Sequence, residues 1–341
     1  MTPDDVLIRF RGVRKEFESG TVAVQGLDLD VRRHELLALV GPSGCGKSTT
    51  LRMVNRLVEP TGGQVLLDGE DVAASDPVAL RRRIGYVIQH VGLFPHRTVA
   101  QNVATVPRLL GWDKKRTADR VDQLLDLVGL DTGTYGRRYP HELSGGERQR
   151  VGVARALATD PPVLLMDEPF GAVDPVGRRR LQVEFRRIQE DLGTTVMLVT
   201  HDIDEAVRLA DRVAVFSKGG VIEQVDDPVR LLAQPANDTV AEFVGQGRAL
   251  RLLGLGTVER ADLVPAGGST EGAGAAEVAE VPEGTAVSTI PLGTGLDDAF
   301  SALAAASTDS LDVVEDGRVV GRLTASALVT SLQRLTETGR D

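Results

Sequence analysis

The sequence predicts an α/β fold built on a mostly parallel β-sheet, and three observations support this fold class. Short apolar runs alternate with stretches of helical spacing, the pattern of strands joined by crossover helices. One run, residues 36–40, leads directly into a glycine-rich segment at residues 41–48. Another run, residues 163–166, ends in the acidic pair Asp167-Glu168. Because open α/β sheets bind ligands at the carboxyl ends of their strands, we expect both segments at one functional edge.

The individual elements follow from local periodicity. Runs of apolar and β-branched residues predict strands at residues 6–13, 21–31 (as further short strands), 36–40, 64–67, 84–88, 163–166, 195–200 and 213–216. Helical spacing predicts helices from residue 47 to about 57, within about 99–130 and over roughly 145–158. The helical block at about 90–158 is therefore expected to be a subdomain inserted into the sheet.

Length and composition suggest the domain organisation. A chain of 341 residues is long for one domain. We expect a first domain over residues 1–245, then a linker and less well specified segment over 246–289, whose residues 266–283 are rich in Ala, Gly and Glu, and a small α+β module over 290–341. Within that module, Asp316-Gly317 between β-rich segments predicts a two-residue hairpin turn.

Charge and cysteine content exclude several function classes. The net charge of -10 disfavours a nucleic-acid partner, which would require a basic face. The single cysteine, Cys45, excludes an intrachain disulfide and fits a reducing compartment. No segment resembles a signal peptide or approaches the roughly 20 apolar residues of a membrane span. Any role at a membrane is therefore expected from the cytoplasmic side, together with other chains.

Residues 41–48, called here the phosphate loop, match G-x-x-x-x-G-K-[ST] between a strand and a helix. Glycines allow successive N–H groups to turn inward and form an anion nest, which the following helix N-terminus reinforces. Lys47 is expected on the β and γ phosphates, Ser48 on Mg²⁺ and Thr49 on the α phosphate. Cys45 is interpreted as a passenger rather than a redox sensor. The predicted nucleotide-binding residues here are Gly41, Pro42, Ser43, Gly44, Cys45, Gly46, Lys47, Ser48 and Thr49.

Four polar residues at predicted strand ends are candidates for the chemistry. Asp167 is expected to hold Mg²⁺ through water, and Glu168 to polarise the water that attacks the γ phosphate. Gln89 ends the strand of residues 84–88, where its amide either touches both Mg²⁺ and that water or lies in a solvated turn. His201 ends the strand of residues 195–200 and either binds the γ phosphate or is structural.

A second glycine turn indicates a second anion site. Ser144, Gly145 and Gly146, called here the signature turn, open a predicted helix. A chain that already has one phosphate loop needs this site for a facing copy of itself. The sequence therefore predicts an ATPase that closes as a dimer around two nucleotides. Phe17, upstream of the phosphate loop, either stacks on adenine or belongs to the core.

Taken in order, these residues resemble the nucleotide-binding subunit of ATP-binding cassette (ABC) transporters over about residues 6–245. The resemblance rests on Phe17, the phosphate loop, Gln89, residues 143–149, residues 163–167, Glu168, residues 171–174 and His201. It implies roles in nucleotide binding for Gln149 and Asp174 as well. Residues 171–174 read Gly-Ala-Val-Asp where the family often has Ser-Ala-Leu-Asp, and the aspartate is kept.

The resemblance also implies partners. Each ATP would lie between one chain's phosphate loop and the other chain's signature turn, in a head-to-tail homodimer at the cytoplasmic face of the cell membrane. Residues after Gln89 would receive transmembrane permease subunits, and an extracytoplasmic solute-binding protein would act indirectly. Residues 84–96 and 106–112 are similar to importers of glycine betaine, choline, carnitine or proline. Since aromatic residues, which cage quaternary ammonium groups, make up only 4% of the chain, selectivity is expected in another subunit.

The C-terminal module resembles one half of a CBS pair, with a degenerate first half, and the alternative is a dimerisation or purely structural tail. Its acidic excess suggests a response to ionic strength. Within transport, methionine or polyamine importers are the alternative. Outside transport, a soluble cassette ATPase of translation or DNA repair usually carries two cassettes or a long coiled-coil insertion, which this sequence lacks. Glu168 and His201 argue against a nucleotide sensor without hydrolysis.

Overall fold

The structure, a computed structural model, describes residues 5–88, 92–171, 173–265, 289–306 and 309–338. The chain forms two compact units, Met1–Pro228 and Val229–Asp341. The first unit ends at Pro228, before the predicted domain boundary at residue 245, so the helix Asp238–Val244 falls in the second unit. Among the residues described, no helix combines the length and the apolar character that a membrane crossing requires.

Strands and helices alternate through most of the described chain. The strands are β1 Val6–Glu16, β2 Val22–Arg32, β3 Leu36–Val40, β4 Gly62–Leu67, β5 Glu70–Asp71, β6 Ile84–Val87, β7 Val163–Asp167, β8 Thr195–Val199, β9 Arg212–Ser217, β10 Val221–Asp226, β11 Thr289–Pro291, β12 Ser310–Glu315 and β13 Arg318–Thr324. The helices are α1 Lys47–Val54, α2 Pro77–Arg82, α3 Val99–Val103, α4 Thr105–Leu109, α5 Lys114–Leu127, α6 Thr132–Tyr135, α7 Gly145–Ala156, α8 Pro175–Leu192, α9 Ile203–Leu209, α10 Pro228–Ala233, α11 Asp238–Val244, α12 Arg248–Leu253, α13 Leu296–Ala305 and α14 Ala325–Thr338.

A six-stranded sheet in the order β10-β9-β3-β8-β7-β6 forms the centre of the first unit. The neighbouring strands from β9 to β6 all pair in parallel, and the edge strand β10 pairs antiparallel with β9. Every residue of β3, β7 and β8 is buried, as expected for parallel strands covered on both faces. The predicted α/β fold class is confirmed for this unit. Because β3, β8, β7 and β6 run in parallel, their carboxyl ends share one edge.

A second, antiparallel sheet in the order β2-β1-β4-β5 contributes to the same apolar core. That core joins Phe10 of β1, Val31 of β2 and Leu39 of β3 with Leu51 and Met53 of α1. The short strands predicted over residues 21–31 are wrong, because β2 is one continuous strand. Gly26, in the left-handed region at φ 67°, interrupts the apolar alternation while the pairing with β1 continues.

Helices α3 to α7 occupy the predicted helical block and lie between β6 and β7 in the chain. Helix α7 contacts α3, α5, α8 and strand β6, which fixes the helical segment on the sheet edge. Helix α1 ends at Val54 rather than near residue 57, because Arg56 is left-handed at φ 53°. Helix α7 likewise ends at Ala156, before the predicted residue 158.

The second unit contains a three-stranded sheet in the order β11-β12-β13 with helices α13 and α14. Strands β11 and β12 are parallel, whereas β12 and β13 form a hairpin. The predicted hairpin turn is confirmed: Asp316 and Gly317 both have positive φ, at 50° and 76°. A small core of its own includes Leu296, Leu311 and Leu323.

Candidate functional site

The phosphate loop follows β3 at the functional edge, and its glycines are required by the backbone. Gly41, Gly44 and Gly46 have φ of 144°, 76° and 108°, values that favour glycine. A Cβ on Gly41 would lie 2.2 Å from the carbonyl oxygen of Phe216, and one on Gly46 would lie 2.3 Å from that of Ala23. Any side chain at these two positions would therefore displace the loop from its neighbouring strands.

Lys47 and Ser48 begin α1 with their polar atoms held inside the site. Lys47 is 6% exposed, and its ammonium donates to the carbonyl oxygens of Gly41 at 2.7 Å and Pro42 at 2.9 Å. The Ser48 hydroxyl donates to Asp167 Oδ1 at 2.7 Å. Since carbonyl oxygens carry no full charge, the buried Lys47 cation fits a site for an anion.

The acidic pair lies where the sequence placed it, at the end of β7. Asp167 is 2% exposed and pairs in register with Val199 of β8. Glu168 follows in the left-handed region at φ 46°, and its N–H donates to the Val199 carbonyl at 2.9 Å. A non-glycine residue in this region carries a backbone strain of order 1 kcal/mol, and such strain concentrates at functional sites.

His201 lies beside Glu168 because β8 and β7 are neighbours. The His201 Nδ1 is 3.4 Å from Glu168 Oε1, and the imidazole is 62% exposed. The structure therefore brings together Lys47, Ser48, Asp167, Glu168 and His201 from three adjacent strand ends. Gln89, the fourth strand-end candidate, lies outside the described residues.

Arg52 and Tyr86 belong to this site although the sequence reasoning missed them. Arg52 Nη2 donates to Asp167 Oδ2 at 3.0 Å, so that both oxygens of this carboxylate are bonded. A hydrogen bond with Tyr86 raises the pKa of the Arg52 guanidinium, and burial raises the pKa of the Tyr86 phenol. The available signal was spacing: Arg52 lies one helical turn after Ser48 and faces the same way.

The signature turn opens α7 with a reciprocal cap. The Ser144 hydroxyl accepts from the Glu147 N–H at 3.3 Å, and Glu147 Oε2 accepts from the Ser144 N–H at 2.7 Å. This backbone hydrogen bond lowers the pKa of Glu147. The N–H groups of Gly145 and Gly146 precede the capped turn and have no intrahelical acceptor four residues back. They fit the predicted anion site at a helix start.

Three further predicted residues have distinct surroundings. Phe17 is 41% exposed, with the Lys15 ammonium 5.2 Å from its ring centroid, so it is not a core residue. Asp174 caps α8 by accepting from the Gly177 N–H at 2.9 Å. Gln149 is 1% exposed on α7, and its amide has no hydrogen-bond partner in the part of the chain that is described. Its role in nucleotide binding stays a prediction.

Comparisons with known proteins agree with this geometry. Residues 24–171 match the ABC transporter family. The glycine betaine uptake system ATP-binding protein of Escherichia coli (strain K12) is 51% identical over 264 residues, covering 75% of this chain and 85% of that protein. The glycine betaine/carnitine/choline transport ATP-binding protein of Bacillus subtilis (strain 168) is 50% identical over 245 residues. That match covers 72% of this chain and 64% of the Bacillus protein, so the chain spans less than two thirds of this relative.

Solved structures share the fold. One is a dimeric ATP-binding cassette in a post-hydrolysis state bound to ADP and Pi, with a TM-score of 0.59 and 31% identity. The match covers 65% of this chain and 99% of the solved chain. Sequence and structural likeness thus agree on one family. By its 51% identity to a relative that it covers to 85%, the chain belongs to the ATP-binding proteins of the ABC transporter family.

Proposed function

We propose that this chain is the ATP-hydrolysing subunit of an importer for quaternary-amine osmoprotectants. The observation that carries the ATPase proposal is the meeting of three strand ends. Ser48 and Asp167 are hydrogen-bonded at 2.7 Å, and Glu168 lies 3.4 Å from His201. A phosphate-binding residue, two carboxylates and an imidazole within one edge are the parts that phosphoryl transfer to water requires.

The residues present fit MgATP. Lys47 is a buried cation held by carbonyl oxygens, and the backbone of the phosphate loop at Gly41 and Gly46 leaves no room for a Cβ. Ser48 Oγ and Asp167 Oδ1 would hold Mg²⁺, Asp167 through water, with Gln89 as a further proposed ligand. No group of three or more His, Cys, Asp or Glu side chains suited to a metal occurs among the described residues, so the phosphates would complete the coordination. When bound, Mg²⁺ supplies neutralisation of charge on the phosphates.

The roles of the remaining residues follow from their positions. Lys47 and Thr49 would hold the phosphates, and Phe17, exposed before the phosphate loop, would stack on adenine. Glu168 would accept a proton from the attacking water. Its φ of 46° marks the point where the chain leaves strand β7. His201 would contact the γ phosphate while remaining close to Glu168.

A head-to-tail homodimer completes the proposed site. The signature turn offers free N–H groups at a helix start, and this chain's phosphate loop already has a helix of its own in α1. The facing copy would therefore supply Ser144, Gly145 and Gly146, with Asp174 beside the shared nucleotide. The dimeric state of the solved ATP-binding cassette supports this arrangement.

The transport role rests on relatives. Besides the Escherichia coli and Bacillus proteins, the osmoprotectant import ATP-binding protein of Salmonella typhimurium (strain LT2) is 55% identical over 231 residues, or 68% of this chain and 60% of that protein. Permease subunits and, indirectly, an extracytoplasmic solute-binding protein would complete the importer at the cytoplasmic face of the membrane. Residues 290–341 would form a CBS-like regulatory module, and the order β11-α13-β12-β13-α14 around a small apolar core supports this.

Three measurements test this proposal. The purified chain should hydrolyse ATP only with Mg²⁺, and a chain with normal folding but no hydrolysis would refute the ATPase. In its own cells, replacement by Glu168→Gln should abolish uptake of labelled glycine betaine, choline, carnitine or proline. Loss of spermidine or methionine uptake instead would transfer the proposal to those importers.

Deletion of residues 248–341 tests the regulatory role of the C-terminal segment. It should alter the dependence of uptake on salt concentration, and an unchanged dependence would refute regulation by this segment.

A further inference from the structure

Glu205 is a buried acid next to the proposed site that the proposed chemistry does not use. It lies in α9, which begins two residues after His201, and it is 5% exposed. Its Oε1 atom is buried and has no hydrogen-bond partner among the described residues. Burial of an unpaired carboxylate is far more costly than burial of a neutral carboxyl group. The geometry therefore favours a carboxyl that keeps its proton.

The charges around Glu205 point the same way. The neighbouring titratable groups are Asp202 at the start of α9, Glu168 after β7, and Arg178 of α8. Burial, followed by the charge of Asp202, raises the pKa of Glu205 to about 8, while a hydrogen bond from Thr200 and the Arg178 charge oppose the rise. Two acids and one arginine thus face this carboxyl, and the exposed His201 lies four residues before Glu205 in the chain.

Arg178 is the cation that connects this acid cluster to the loop after Glu168. Its Nη2 donates to the Val173 carbonyl oxygen at 3.2 Å, and its Nη1 lies 3.7 Å from Asp202 Oδ2. Its Nε is buried without a hydrogen-bond partner within the described ranges. Val173 belongs to the segment that separates Glu168 from helix α8, which begins at Pro175. One guanidinium therefore joins this loop to the start of α9.

Asp202 in turn fixes the segment that carries His201. Its Oδ1 accepts from the N–H of Asp204 at 2.9 Å and of Glu205 at 3.4 Å, which caps α9. Its own N–H donates to the Thr200 hydroxyl at 3.0 Å. Any force that moves Arg178 away from Asp202 would act on this cap, and hence on the backbone beside His201.

We infer that Glu205 is a positioning residue for ATP hydrolysis, because its neutral carboxyl leaves Arg178 bound to Val173 and Asp202 and so fixes both His201 and the loop after Glu168. This inference rests on the proposed ATPase function. When Glu205 loses its proton, a third carboxylate forms beside Asp202 and Glu168. Arg178, whose Nε has no acceptor among the residues described, is then drawn toward Glu205, and Val173 loses its contact with the guanidinium.

The protonation of Glu205 can be measured without nucleotide. The folded chain holds the proton to about pH 8, whereas the unfolded chain releases it near pH 4.5. The stability contributed by this proton is therefore complete below about pH 4.5 and is lost as the pH rises to about 8. Denaturant unfolding of the wild type should show this loss, and Glu205→Gln should show a smaller one. Glu242→Gln, at an exposed glutamate, is the matched control and should follow the wild type. If the free energy of unfolding falls equally with pH in the wild type and in both variants, the inference is overturned.

The positioning role is tested by the pH profile of ATP hydrolysis. Because the protonated fraction of a group with a pKa near 8 falls about tenfold between about pH 7 and pH 9, wild-type hydrolysis should fall by up to about that factor. Glu205→Gln should remove this alkaline decline while Glu242→Gln keeps it. An alkaline decline that persists in Glu205→Gln would overturn the inference.

A second variant covers failure of Glu205→Gln to fold. Arg178→Gln lacks the cation that is redirected, so its hydrolysis should be lower at neutral pH and should no longer decline at alkaline pH. Arg178→Lys should restore part of both properties, and a full wild-type profile in Arg178→Gln would contradict the inference. If the wild type hydrolyses no ATP but its stability still depends on Glu205, the proposed ATPase fails while the protonation of Glu205 stands.

Discussion

The two halves of the functional edge treat their carboxyl groups differently. On the phosphate-loop side, Asp167 is bonded to Ser48 at 2.7 Å and to Arg52 at 3.0 Å. On the His201 side, Glu205 has an unpartnered oxygen among the described residues, and its pKa is raised to about 8 by burial and by Asp202. On the phosphate-loop side, the carboxylate charge is compensated by hydrogen-bond partners. On the His201 side, the buried carboxyl group avoids a charge by keeping its proton.

This difference suggests a division of labour. Groups that bind phosphate and Mg²⁺ gain from fixed geometry, because preorganised charge costs no rearrangement when the ligand arrives. Groups that must change position during a reaction cycle need contacts that can be exchanged, such as the 3.7 Å approach of Arg178 to Asp202. The following variants test whether the two halves can be disturbed separately.

The largest expected effect is on the His201 side. Glu168→Gln should lower the hydrolysis rate by about 10²–10⁴-fold, the usual contribution of a general base, while ATP affinity is kept. Single-turnover hydrolysis and equilibrium nucleotide binding measure the two quantities. Wild-type turnover in this variant would refute the role of Glu168, and Glu242→Gln controls for loss of a surface charge.

Disturbing the phosphate-loop side should change metal dependence instead. Asp167→Asn removes a carboxylate oxygen that would hold Mg²⁺ through water, and such changes weaken metal affinity by about 10–100-fold. The Mg²⁺ concentration for half-maximal ATP binding should rise by that factor, while binding of ATP in EDTA should change little. If both affinities fall together, the effect is on the fold of the loop rather than on the metal.

A smaller effect is expected at the exposed ring before the phosphate loop. Phe17→Ala should weaken ATP binding by about 5- to 10-fold, because stacking of a base on an aromatic ring contributes roughly 1 kcal/mol or more. Phe17→Trp should retain affinity, since its ring also stacks. An unchanged ATP affinity in Phe17→Ala would refute the stacking role of Phe17.

The smallest effect concerns stability. Arg52→Gln leaves the buried Asp167 carboxylate with one partner fewer, but the arginine side chain is 45% exposed, so the loss should be only about 1 kcal/mol. Urea unfolding should reveal this loss without nucleotide, and Mg²⁺ with ATP should recover it. Arg180→Gln, which breaks an exposed pair on α8, is the control and should change stability by less. A loss that Mg²⁺ and ATP leave unchanged would contradict the account of Asp167.

Much of the phosphate-loop half was predictable from sequence because its determinants are local. Glycine spacing fixes the loop, and the apolar runs of β3 and β7 place Lys47, Ser48 and Asp167 at their ends. The His201 side was predicted less fully. Arg178 and Glu205 act through contacts between α8, α9 and residues 171–174, and neither periodicity nor spacing reveals which polar side chains a fold will bury together.

Other differences have similar causes. Gln149 lies within the predicted signature segment, yet its side chain is buried and lines a small cavity together with Phe170 and Phe185. Helix α8 was not predicted, although Leu181, Phe185 and Ile188 recur at helical spacing and are buried, so its signal was available and missed. Strand β10 was not predicted because its short polar run gives a weak apolar pattern. Tertiary packing decides this strand.

The account depends most on a nucleotide shared between two copies of the chain. Light scattering of Glu168→Gln measures this directly, because binding without turnover should hold the copies together. With ATP the molar mass should double from 36.4 kDa, and without ATP it should remain that of one chain. A Glu168→Gln chain that binds ATP but stays a single copy at every nucleotide concentration would contradict the shared site.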